Sequence, residues 1–84
     1  MFAKIRYSVF IDSLHLELSA PKGNCVRGVL KDDKGSVCRV IERSIVSDKE
    51  LLIWRGLDEL PYGHYTLELT HENDEMKMDL VKRI

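Results

Sequence analysis

The side chains able to do chemistry are scattered along this chain. Its three histidines, His15, His64 and His71, stand far apart, whereas a metal centre needs three or four ligands converging on one point. Residue alternation puts His15 and His64 on outward strand positions and His71 in a turn, which predicts surface histidines. The run Glu72-Asn73-Asp74-Glu75 offers oxygens to a hard cation but lacks the spaced ligands and bidentate acid of a calcium loop. It reads as a solvated turn. Asp32 and Asp33 serve a turn in the same way, and Asp58 and Glu59 decorate a corner. Ser8, Ser19 and Ser36 have no histidine and acid in a recognisable triad motif, and neither Cys25 nor Cys38 lies in a nucleophile motif. The five glycines are isolated, and none opens a phosphate loop. The expectation is a protein without catalytic residues, bound metal or cofactor.

Composition narrows the classes further. Eighty-four residues make one domain, spanning 1–84, with a thin core and little room for a deep pocket and its walls. With 44% hydrophobic residues, 32% charged residues and a net charge of −1, nothing points to nucleic acid, whose binders show a basic patch. Only Lys82-Arg83 stand as adjacent basic residues. No apolar run approaches the roughly 20 residues of a membrane span, so no membrane insertion is expected. Met1-Phe2-Ala3-Lys4-Ile5-Arg6 and the short run Tyr7–Ile11 do not build a secretory signal. The chain reads as cytosolic or as a processed piece. Cys25 and Cys38 read as two small apolar strand residues rather than a disulfide framework.

The elements that would position any site are strands. Residues 3–11 alternate, with Ala3, Ile5, Tyr7, Val9 and Ile11 against Lys4, Arg6, Ser8 and Phe10. Leu14, Leu16, Leu18 and Ala20 line one side of a second strand. A third runs from Cys25 to Lys31 with Val26, Gly28 and Leu30 inward, and Asp32-Asp33-Lys34-Gly35 closes a hairpin. The next, residues 36–46, has an unclean pattern that predicts a bulge. Residues 51–55 form a continuous apolar run and read as a strand, although the capping box Ser47-Asp48-Lys49-Glu50 and Gly56 also suit a short helix over 48–55. Residues 64–70 alternate strictly, and Met76, Met78 and Leu80 alternate with Lys77, Asp79 and Val81. Seven short strands with turn signals between them predict an all-β, seven-stranded antiparallel β-sandwich, prealbumin-like or immunoglobulin-like.

The most informative stretch joins the fifth strand to the sixth. Leu60-Pro61-Tyr62-Gly63 carries Pro and Gly at the second and fourth positions of a type I turn. Leu57 and Leu60 are expected to plug the open end of the sandwich, with Tyr65 beneath them and its hydroxyl bonded to nearby backbone. Trp54 is expected in the core. Tyr62, at the turn tip, is the candidate contact residue, together with Lys82 and Arg83; Trp54, Tyr62 and Phe10 could also form an exposed aromatic patch.

The pattern Val26-x-Gly28-x-Leu30-x-Asp32-x-x-Gly35, then Leu57-x-x-Leu60-Pro61-x-Gly63-x-Tyr65-x-Leu67-x-Leu69, then a last strand ending Val81-Lys82-Arg83-Ile84, resembles the C-terminal sorting domains of proteins exported by the type IX (Por) secretion system of Bacteroidetes. It is equally similar to small secreted Bacteroides proteins of prealbumin-like fold. The resemblance covers roughly residues 9–84, and the Tyr-Pro-Asn-Pro-like opening of sorting domains does not occur here. It implies a non-catalytic interaction module, secreted or in the cell envelope, whose partner is a protein of the secretion machinery or the surface. What the machinery would read is the folded shape plus the last strand, including Lys82 and Arg83. A free-standing binding protein, or a stalk domain of a larger surface protein, are the other roles such a sandwich fills.

Overall fold

Apolar alternation resolves into two facing sheets in the computed structural model, which describes residues 2–19, 23–47 and 49–83. Eight strands follow one another without a helix among these residues: β1 (Ala3–Ile5), β2 (Val9–Phe10), β3 (Leu14–Leu18), β4 (Cys25–Asp32), β5 (Val37–Ser44), β6 (Glu50–Trp54), β7 (Gly63–His71) and β8 (Asp74–Lys82). One sheet has the order β1-β3-β6 and the other β2-β8-β7-β4-β5. All pairings are antiparallel except β2 with β8, where Val9 and Phe10 run parallel to Val81 and Lys82. Leu14, Leu16 and Leu18 of β3, with Leu52 and Trp54 of β6, join Val26, Leu30, Leu67, Leu69 and Leu80 of the larger sheet in one buried cluster.

The count is eight strands rather than seven because the first predicted strand breaks at residues 6–8 and changes sheets. The two sheets face each other, so a chain that leaves one and joins the other inverts which of its sides meets the core. Ala3 is buried on one parity; after the crossing Phe10 is buried on the other, and Tyr7, Val9 and Ile11 are exposed. Phe10 is therefore core, not part of a surface aromatic patch.

Elsewhere the expected devices are present. β5 carries the anticipated irregularity: the register against β4 shifts between Leu30 and Lys31, leaving Cys38 unpaired in the ladder between Val37 and Arg39. Cys25 lies opposite Ser44, and both thiols are free. In the β4–β5 hairpin Asp32 Oδ1 accepts from the backbone N–H of Lys34 (3.0 Å) and Ser36 (2.9 Å), and Gly35 takes the left-handed conformation at φ 84°. The capping-box residues do reach back. Glu50 Oε1 accepts from Val46 N–H (3.2 Å), while its other oxygen takes Arg43 Nε at 2.8 Å, which holds the carboxyl below the usual carboxylate range. They brace a loop leading into β6 rather than a helix; Asp48 lies outside the described residues.

Two residues, Glu72 and Asn73, join β7 to β8, with His71 opposite Asp74. Glu72 sits at φ 53°, a region that costs a residue with a side chain about 1–2 kcal/mol. Glu72→Gly is expected to raise stability by about 0.5–1 kcal/mol, since glycine also loses more freedom on folding. An unchanged or lower urea midpoint would show that the turn stores no strain.

Candidate functional site

The end of the sandwich where β7 begins collects the residues singled out at the corner. Leu57 (0% exposed) and Leu60 (7%) close that end, and Leu60 N–H donates to Leu57 O at 3.3 Å. The hydrogen-bonded turn thus spans 57–60, one step before the expected 60–63. The Pro61 carbonyl is committed elsewhere, since Tyr65 donates its hydroxyl to it at 2.5 Å. This tie, four residues upstream, is the geometry of a tyrosine corner. Gly63 opens β7 at φ 141°, a conformation that suits glycine. Burial pushes the Tyr65 phenol above its ordinary range, and the nearby Cys38 thiol and Asp32 and Asp33 carboxylates add to it.

Around this frame stand the three candidate contact residues. The register pairs Gly63 with Lys82 and Phe10 with Lys82, so Tyr62 arrives beside the end of the last strand. Tyr62 is 63% exposed, and Arg83 is exposed with its backbone N–H donating to Phe10 O at 2.9 Å.

Lys82 departs from the expectation: at 3% exposure it is buried. Its Nζ lies 5.4 Å from the Tyr62 ring centroid and 6.0 Å from that of Phe10, and donates to Arg83 O at 3.5 Å. Two aromatic faces and one carbonyl are what offset its desolvation. A partner would meet Tyr62 and Arg83 while Lys82 stiffens the surface behind them. The signal for this was in the sequence, because Lys82 continues the inward parity of Met76, Met78 and Leu80. The third member, Phe10, was hidden by the change of sheet.

The other reactive side chains do not assemble a relay. Ser13 Oγ lies 3.4 Å from Asp12 Oδ1 and 3.5 Å from His15 Nε2. The acid touches the hydroxyl instead of the far ring nitrogen, so nothing orients the imidazole as a base. His64 is exposed. His71 is not a turn residue: it ends β7, 8% exposed. It stacks on Phe2 at 5.2 Å, with Asn24 Nδ2 at 2.9 Å from its Nε2. Among the described residues no three His, Cys, Asp or Glu side chains converge as a metal site would require. The clefts are open surface depressions, one of them about 410 Å³ and lined by Asp12, Ser13, His15 and Asp58. No protein-family model and no curated protein matches this chain.

Proposed function

We propose that the protein is a non-catalytic interaction module of immunoglobulin-like fold that serves export and sorting at a Bacteroidetes cell envelope. The strand order supports the immunoglobulin-like reading over the prealbumin-like one. β4, β5, β7 and β8 fill the places of C, C′, F and G in one sheet, and β1, β3 and β6 those of A, B and E in the other. Tyr65 supplies the corner at the start of the F-like strand. The family resemblance supplies the role.

The observation that carries the reading is the pair Tyr62 and Arg83. One is 63% exposed at the corner, the other follows the last strand, and both are backed by the Phe10–Lys82–Tyr62 stack. An exposed aromatic beside an arginine is the composition of an interface hot spot.

The order of the larger sheet decides how to test it. β8 lies between β2 and β7, so deleting residues 76–84 would destroy the fold along with any recognition surface. Point substitutions separate the two. Fused behind a carrier protein in a bacterium with a type IX system, the domain is expected to deliver the carrier outside the cell. The double variant Tyr62→Ser, Arg83→Glu is expected to cut that delivery at least tenfold, the loss of about 1.4 kcal/mol of recognition, with an unchanged melting curve. Retention of the unmodified fusion inside the cell overturns the export role, as does full export of the double variant.

A further inference from the structure

The smaller sheet ends on a strand that is open, apolar and able to pair with itself. Its direction of hydrogen bonding follows from the other side of the sheet. Arg6 N–H donates to His15 O at 3.2 Å, and Ser19 N–H to Phe2 O at 2.7 Å. Backbone groups of successive strand residues point to opposite sides, so His15, Glu17 and Ser19 turn toward β1, and Leu14, Leu16 and Leu18 toward β6. The register Leu16 opposite Leu52 then commits Glu50, Leu52 and Trp54 to β3. The N–H and C=O groups of Leu51 and Ile53 point away from the molecule. The side chains of the same two residues lie on the outer face of the sheet, 47% and 36% exposed.

The four sheet edges differ in how they are guarded. β1 and β2 are three and two residues long, and short edges resist pairing. β5 is kinked by its register shift and carries Arg39, Glu42 and Arg43. From Leu51 to Trp54, β6 has no charge, no proline, no glycine and no break in register. It has none of the usual devices against edge-to-edge association.

We infer that two copies of the chain join through β6, antiparallel about a two-fold axis at Ile53, fusing the two three-stranded sheets into one of six. Charge chooses this register. A two-fold at Leu52 would set Lys49 against Arg55 of the second copy, a like-charge pair that opposes association. With the axis at Ile53, Leu51 faces Arg55 of the second copy, and the two isoleucines meet. Glu17, which lies opposite Leu51 on β3, is then two strand spacings, about 10 Å, from that arginine, within reach of two long side chains. The exchange makes about six backbone hydrogen bonds and covers both Leu51 and both Ile53 side chains. An interface confined to one strand pair is small and reversible, so the dimer dissociates on dilution.

Sedimentation equilibrium of the whole chain over a micromolar-to-millimolar series tests this. A monomer–dimer equilibrium is expected. Ile53→Pro removes an N–H with no internal partner, which an edge strand tolerates, and is expected to weaken association at least tenfold, as is Ile53→Lys. Arg55→Glu is expected to weaken it likewise, and the swap Glu17→Arg, Arg55→Glu to restore it. Should the proline variant unfold, the lysine variant and the charge swap still decide the matter. Monomer at every concentration overturns the inference and leaves the edge to a strand from a different protein. A dimer indifferent to Ile53→Lys and to the charge swap overturns it too.

Discussion

Tyr65→Ala is expected to lower the unfolding free energy by about 3–5 kcal/mol, the range for truncating a large core aromatic. The ring is 4% exposed and meets Phe10 edge-on, with centroids 5.9 Å apart. Its hydroxyl fixes the corner through the Pro61 carbonyl, so the alanine loses packing and a tie together. Tyr65→Phe separates them. It keeps the ring and removes one hydrogen bond, for an expected loss of about 1 kcal/mol. That figure is modest because Pro61 is exposed and water can reach the orphaned carbonyl. The comparison is made from urea midpoints at constant slope. An unmoved midpoint in the alanine variant would take Tyr65 out of the core.

The same residue predicts an alkaline limit. Burial raises the phenol above its ordinary value in the folded state, while in the unfolded chain it ionises near about 10. Above that pH the folded protein holds a proton that the unfolded chain has released. Stability is thus unaffected below about pH 10 and falls as pH rises toward the folded value. Tyr65→Phe is expected to remove this part of the slope, and an unaltered alkaline profile in that variant would assign the loss to other groups.

What could be read in the letters follows from which interactions are local. Strict alternation over residues 64–70 placed Tyr65, Leu67 and Leu69 inward, and all three are buried. A strand with one buried side carries a period that needs no knowledge of its neighbours. The Asp32 turn was legible for the same reason, because its bonds join residues within four positions. Where the phase depended on which sheet a segment joins, the letters were silent. Residues 3–11 alternate as one strand, yet the switch between sheets exchanges their faces and buries Phe10. His71 was taken for a turn residue because polar neighbours follow it; its partner Asn24 lies forty-seven positions away. The corner was recognised as a unit, but its closing bond falls at Leu57–Leu60, since the Pro61 carbonyl serves the tyrosine. Lys82 is the instructive miss. Parity pointed inward and charge pointed outward, and two aromatic faces let parity win.

Gly28→Val is expected to cost about 2–3 kcal/mol, at the upper part of the range for overpacking a filled core. That corresponds to a fall in melting temperature of about 10–20 °C for a domain of this size. Gly28 lies in β4, flanked by β5 and β7, opposite Ile41 and Leu69. A β-carbon there would come within 3.0 Å of Ile41 Cγ2 and 3.1 Å of Leu69 Cδ2. Alanine adds only that carbon and recovers some of the chain entropy that glycine sacrifices in a strand, so Gly28→Ala is expected to stay within about 1 kcal/mol of the parent. Valine adds two further methyls between side chains already at contact, and one of these, Ile41, is β-branched and stiff at its first torsion. If crowding is the cause, shortening the neighbour relieves it. The double variant Gly28→Val, Ile41→Ala should then be more stable than the sum of the single losses allows, by at least about 1 kcal/mol of coupling. Strict additivity in that cycle would mean that the valine harms the strand through its backbone, and that the small residue at 28 is not required by the space between β5 and β7.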